Sequence, residues 1–152
     1  MKYFSTRDEN QIKFDSAQII KQGLAADGGL FVPEALPSIT EEEINKMCQM
    51  TYPERAAFVL SKFLSDYTYE ELLKDCNEAY SDTSFDGGAA PLKKVTDNIF
   101  SLELWHGPTA AFKDMALQIM PRLLSRALVK TGESNTALIL VATSGDTGKA
   151  AL

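Results

Sequence analysis

Lys113 is the residue of this chain whose type and setting invite chemistry. It lies in Leu104-Trp-His-Gly-Pro-Thr-Ala-Ala-Phe-Lys-Asp114, where a Gly-Pro turn leads into the small apolar approach Ala110-Ala111-Phe112. A lysine drawn into apolar surroundings has its neutral amine favoured by desolvation, and a neutral amine can attack a carbonyl to form a Schiff base. The opposing reading is a surface lysine in the first turn of a helix, its charge matched by Asp114 or by solvent. By residue type alone that reading prevails, because most lysines are exposed. His106 is the single histidine. It could orient a substrate or donate a proton, but a lone histidine is more often a satisfied structural residue, and that reading is preferred.

A second segment, Ala142-Thr-Ser-Gly-Asp-Thr-Gly148, adds a place for an anion. Gly145 and Gly148 free the backbone to expose successive N–H groups, and Ser144 and Thr147 bring hydroxyl donors. At a helix start such a turn takes a carboxylate or phosphate. Taken alone, the segment is equally well explained as a Ser/Thr/Asp cap on a buried loop. It does not fit the phosphate-binding loop of nucleotide hydrolases. Two residues separate its glycines where four are needed, and Ala150 stands where a Ser or Thr should follow the lysine. A reactive lysine followed by an anion-binding turn points to pyridoxal phosphate chemistry.

The elements that must position these residues form an α/β pattern. Residues 99–105 alternate as a strand, residues 106–109 turn, and residues 110–129 read as a helix that Pro121 kinks or breaks near Met120. Residues 136–142 are an apolar strand suited to a parallel sheet covered on both faces, and residues 149–152 open another helix. Together these make a βαβ unit. Upstream, the Asp27-Gly-Gly29 turn precedes a short buried strand, Leu30-Phe-Val32, ended by Pro33. Three helices follow. Thr40 with Glu43 and Thr68 with Glu71 are capping boxes, and Pro53 suits the first helical position of the helix between them. Their apolar stripes are Ile44, Met47 and Cys48; Ala57, Leu60, Phe63 and Leu64; and Leu72, Leu73, Cys76, Ala79 and Tyr80, all read as packing between helices. The predicted organisation is a small, mostly helical N-terminal domain over residues 1–82, a linker rich in turn formers over 83–94, and the start of a second domain over 95–152.

Composition bounds the function. A net charge of −6 and the lack of a basic run exclude non-specific nucleic-acid binding. No segment is apolar for the length needed to span a bilayer, and the N-terminus has no signal-peptide core, so a cytoplasmic location without membrane attachment is expected. Cys48 and Cys76 lack the spacing of a metal site, and both are expected as buried or half-buried free thiols.

Three segments resemble one family. Tyr3-Phe-Ser-Thr-Arg7 with Gly23-Leu-Ala-Ala-Asp-Gly-Gly-Leu-Phe-Val-Pro-Glu34, then Trp105-His-Gly-Pro-Thr-Ala-Ala-Phe-Lys-Asp114, then Ala142-Thr-Ser-Gly-Asp-Thr-Gly148, are similar to the N-terminal portion of threonine synthases. Those are pyridoxal-phosphate enzymes of the tryptophan-synthase-β-like fold, also called fold type II. Asp8 and Trp105 depart from the usual pattern without touching the chemistry. The resemblance implies that Lys113 binds pyridoxal phosphate through a Schiff base and moves protons between substrate carbons. It implies that Ser144, Gly145, Asp146 and Thr147 lie beside the cofactor ring and the substrate carboxylate, with Asp146 standing where many relatives have Asn. The implied reaction converts the small molecule O-phosphohomoserine and water to threonine and phosphate. The family's cofactor-phosphate loop and the group facing its pyridine nitrogen are expected downstream of residue 152, so the chain is read as the truncated start of the catalytic domain, inactive by itself. A threonine-synthase-like phospho-lyase acting on another phosphorylated amino acid or hydroxy amino acid shares these motifs. A non-catalytic interaction module built on the N-terminal helices is the reading from another class.

Overall fold

The computed structural model describes residues 1–143 and 145–151. Ser144, one of the predicted site residues, and Leu152 lie outside the described residues. The chain opens on a two-stranded antiparallel sheet of β1 (Tyr3–Ser5) and β2 (Phe31–Pro33), with Phe4 opposite Val32. The predicted strand is there, but it is not buried: Phe31 to Pro33 are half-exposed and Leu30 is 66% exposed. The two strands close on a polar knot. Asp27 accepts from the Ser5 hydroxyl at 2.7 Å and from the Gly29 amide at 2.8 Å. Gly29 passes so near the Ser5 hydroxyl that a Cβ there would collide with it.

Between these strands lies α1 (Ser16–Gln22), a helix the sequence pattern did not predict. Its first turn is capped from a distance, since Asp66 accepts from the Ser16 hydroxyl and, at 2.8 Å, from the Ala17 amide. Three helices follow, α2 (Glu41–Met47), α3 (Tyr52–Phe63) and α4 (Tyr69–Ala79). Each opens on a capping box. Thr40 and Glu43, and Thr68 and Glu71, exchange their bonds as predicted, and Thr51 with Glu54 makes a third. Pro53 falls in the first turn of α3, one residue later than expected.

The core joins α1, α3 and α4 to a helix much farther along the chain, α6 (Met120–Lys130). Ala57, Leu72, Cys76 and Ala79 from α3 and α4 meet Ile119, Leu123 and Ala127, all of them buried. Polar bonds reinforce this seam. Tyr67 donates to the Leu123 carbonyl at 3.0 Å, and burial, helped by the nearby Asp66 charge, raises its phenol well above the usual range. Arg126 forks onto Asp75, while Lys130 reaches Glu71 at 2.8 Å. The Asp75 hydrogen bonds raise Arg126, and the Lys130 bond lowers Glu71.

The stripe expected on α2 is not core. Ile44 is 50% exposed and Cys48 is exposed, because α2 is held by its capping box and by the Lys62–Glu43 ion pair at 2.7 Å rather than by burial. Cys76 is the buried thiol, pushed up to about 11, chiefly by desolvation.

The second half departs further from the predicted βαβ unit. The strand expected at 99–105 is the shorter β4 (Phe100–Leu102), which pairs antiparallel with β3 (Leu92–Lys94) in a hairpin. Residues 136–142 form no strand, and Leu138 and Leu140 are more than 80% exposed. A ladder needs a partner, and among the described residues β3 and β4 pair only with each other, so no strand lies against residues 136–142. The long helix expected from Ala110 is two helices, α5 (Asp114–Leu117) and α6, separated just before Pro121 as the proline required. A last helix, α7 (Asp146–Ala151), follows the glycine turn and packs near α5. Among the described residues no helix is long and apolar enough to cross a membrane.

Candidate functional site

The loop before Lys113 is organised by a carboxylate, not by the lysine. Asp114 is fully buried and turns back, accepting from the Thr109 amide at 2.9 Å and from the Thr109 hydroxyl at 2.7 Å. Because Thr109 is engaged with Asp114, the helix expected from Ala110 starts four residues late, with Lys113 at its N-cap position. Two backbone features make room for this fold-back. A Cβ at Gly107 would stand 2.5 Å from the Asp114 side chain, so only glycine fits. Ala110 takes a left-handed φ of +52°, a conformation disfavoured for a residue with a side chain and held by the bonds around it.

Lys113 itself is half-buried, with its ammonium over the Phe112 ring at 4.2 Å from the centroid. The small apolar enclosure expected around it is only partly built, since Ala111 is buried while Ala110 and Phe112 are exposed. Asp114 is not its counter-ion, and among the described residues no carboxylate lies within ion-pair distance of its amine. His106 has the satisfied, structural placement that the sequence favoured. Its Nδ1 is 2.6 Å from the Asp86 carbonyl, its Nε2 is 2.8 Å from Glu103 Oε2, and its ring stacks on Trp105.

The second motif is partly as expected. Gly145 is exposed, with nothing within 4 Å of the position a Cβ would take, and its carbonyl accepts from the Lys149 amide at 2.9 Å. Asp146 and Thr147 form the first turn of α7. Gly148 does not open the backbone to a ligand. It lies inside α7, where a Cβ would meet the Thr143 methyl at 2.9 Å, so its role is close packing. An apolar groove of about 280 Å³ runs beside Thr147, lined by Leu117, Met120, Pro121 and the stretch from Ile139 to Thr143.

Comparison with known proteins bears on the whole arrangement. A family described as threonine synthase N terminus matches residues 2–80. The chain belongs to the threonine synthase family. A threonine synthase from Pseudomonas aeruginosa is 43% identical across all of this chain, which spans 32% of that protein. The crystal structure of threonine synthase from Escherichia coli superposes with a TM-score of 0.84 at 34% identity, over 99% of this chain and 33% of that one. A PLP-bound threonine synthase from Brucella melitensis gives a TM-score of 0.78 at 37% identity, over 87% and 28%. The chain thus spans about a third of the length of these threonine synthases.

Within this N-terminal portion of threonine synthase, the fold brings Lys113 and its loop together with Asp114, Thr109 and Gly107, and sets α5 near α7. Asp114 was missed as an organising residue. The signal available was weak, a Thr and an Asp five positions apart, which is no recognised local motif. Tyr80, read as a stripe residue of α4, also reaches this region, donating to the Met115 carbonyl at 2.8 Å.

Proposed function

We propose that this chain supplies the lysine-bearing N-terminal third of a pyridoxal-phosphate-dependent threonine synthase. The reaction is conversion of O-phosphohomoserine and water to threonine and phosphate. The observation that carries the reading is the Lys113 loop in a member of this family: its one buried carboxylate is occupied by Thr109, which leaves the lysine amine without a counter-ion among the described residues.

The donor set fits an aldehyde cofactor with a flat ring. Lys113 offers an amine on a half-buried stem, and the open space at Gly145 leaves room for a ring or a carboxylate. When bound, pyridoxal phosphate supplies an electron sink for carbanions of the amino-acid substrate. The chain's own residues would do the rest. Lys113 Nζ would hold the cofactor and carry protons between substrate carbons. On the family resemblance, Ser144, Gly145, Asp146 and Thr147 would serve the ring and the substrate carboxylate. Asp114 and Gly107 keep the lysine at the mouth of its loop. Because the matched region is only 32% of the Pseudomonas relative, these residues alone are expected to turn over no substrate.

The test is addition of pyridoxal phosphate, followed by absorbance in the imine band, borohydride trapping and peptide mapping. A weak adduct trapped preferentially at Lys113 is the expected result. Equal labelling of all exposed lysines would remove Lys113 as the cofactor lysine. A tight adduct confined to Lys113 would show instead that these residues already form a working site.

A further inference from the structure

We propose that residues 80–88 are the platform that holds the Lys113 loop, with His106 and Tyr80 as positioning residues on either side of the lysine. The inference rests on the reading of Lys113 as the cofactor lysine.

Upstream of Lys113, His106 and Asp86 are joined twice. The Asp86 amide donates to the His106 carbonyl at 3.2 Å, and His106 Nδ1 donates to the Asp86 carbonyl at 2.6 Å. A carbonyl only accepts, so the ring proton on Nδ1 is assigned by its partner. The turn passes directly beneath the imidazole: Gly87 has φ +79°, and a Cβ there would stand 3.5 Å from Nδ1. Downstream of Lys113, the Tyr80 hydroxyl donates to the Met115 carbonyl at 2.8 Å. That bond matters because α5 is only four residues long. So short a helix cannot hold itself, and its last carbonyls have no partner within it.

The two clamps share one rigid base. Phe85 is fully buried and lies 5.9 Å from the Tyr80 ring, which packs edge-on against Tyr52 of α3 at 5.0 Å. Contacts therefore run without interruption from the helical core to both sides of Lys113. Residues 83–88, the first part of the predicted 83–94 linker, act with Tyr80 as a fixed support, and a lysine that must meet a cofactor needs its position fixed to within an ångström or so.

The test needs no cofactor. The rate at which a small acetylating ester modifies Lys113 is measured by peptide mass spectrometry, relative to the exposed Lys46 and Lys93. Tyr80→Phe removes only the hydroxyl, and His106→Gln places its amide toward Glu103 rather than Asp86. Each is expected to raise the relative rate at Lys113 by about threefold, as a loosened local contact does. His106→Asn puts an amide nitrogen where Nδ1 stood, and is expected to restore the parent rate. Unchanged rates in both Tyr80→Phe and His106→Gln overturn the proposal, as does a His106→Asn variant as fast as His106→Gln. If either variant melts well below the parent, hydrogen exchange of the parent decides. The Asp86 and Asp114 amides should exchange more slowly than those of Ile139 to Val141, and equal rates overturn the proposal. Pyridoxal phosphate trapped on other lysines would refute the cofactor reading alone, leaving the acetylation result intact.

Discussion

Leu72 and Leu140 are the same residue type in two regions that treat apolar side chains in opposite ways. Leu72 is 0% exposed, enclosed by α3, α4 and α6, whereas Leu140 is 85% exposed in a stretch where Leu138 is 81% exposed. The hairpin behaves like the second region, with Leu92, Phe100 and Leu102 all more than half exposed. Helices make all their interior backbone bonds within themselves and need only a face to pack against. A strand needs another strand before its side chains have anything to cover. An apolar run therefore becomes core only where its backbone is satisfied and another element covers it: α4 has both, the hairpin has a paired ladder but exposed side chains, and residues 136–142 have neither among the described residues.

Truncation should cost most at Leu72. Leu72→Ala should lower stability to urea by about 3–5 kcal/mol, whereas Leu140→Ser should change it by less than about 0.5 kcal/mol and reduce light scattering from association. Similar losses from both would mean that residues 136–142 are packed after all. Next comes Asp114→Ala, which strips the Thr109 amide and hydroxyl of their buried acceptor. It should cost about 2–3 kcal/mol in the same titration, with Asp114→Asn intermediate because one oxygen remains to accept. Tyr67→Phe, which removes the hydroxyl that donates to the Leu123 carbonyl in the seam of α4 and α6, should cost about 1 kcal/mol. The smallest effect is electrostatic. The Lys130 hydrogen bond holds Glu71 below the usual glutamate range. A carboxyl lowered in the folded state stabilises above its unfolded pKa of about 4.3, and that contribution is lost as pH falls through the lower folded value. Thermal melts should therefore fall on acidification below about pH 4.5, and Glu71→Gln should flatten the slope there by a few tenths of a kcal/mol. A slope unchanged in Glu71→Gln would assign the acid sensitivity to other carboxylates.

Much of the helical half was legible because its signals are local. A Thr and a Glu three positions apart can bond only if a helix begins between them, so Thr40 with Glu43 and Thr68 with Glu71 marked α2 and α4 correctly. The stripe of Ala57, Leu60, Phe63 and Leu64 named the buried face of α3, and Pro121 marked the break before α6. What failed depended mostly on distant partners. α1 is capped by Asp66, some fifty positions away, although its start also carries a local sign, a capping box in which Gln18 accepts from the Asp15 amide at 2.8 Å. The stripe of Ile44 and Cys48 had helical spacing but no surface to meet. The helix expected from Ala110 begins at Asp114 because burying that carboxylate against Thr109 bends the chain into a left-handed turn first.

The candidate site divides along the same line. The residue types around Lys113, the Gly-Pro turn, the small approach and the later glycine turn are matters of sequence, and they sufficed to point to the family and to propose the lysine. Three things came only from the tertiary structure. Asp114 faces Thr109 rather than Lys113, Gly148 serves packing rather than ligand access, and residues 80–88 meet the lysine loop from both sides. The physical reason is range. Caps, turns and helical stripes are decided by residues a few positions apart, so composition and spacing carry them. Which carboxylate meets which donor, and which apolar face finds a partner, depends on groups that only the folded chain brings together.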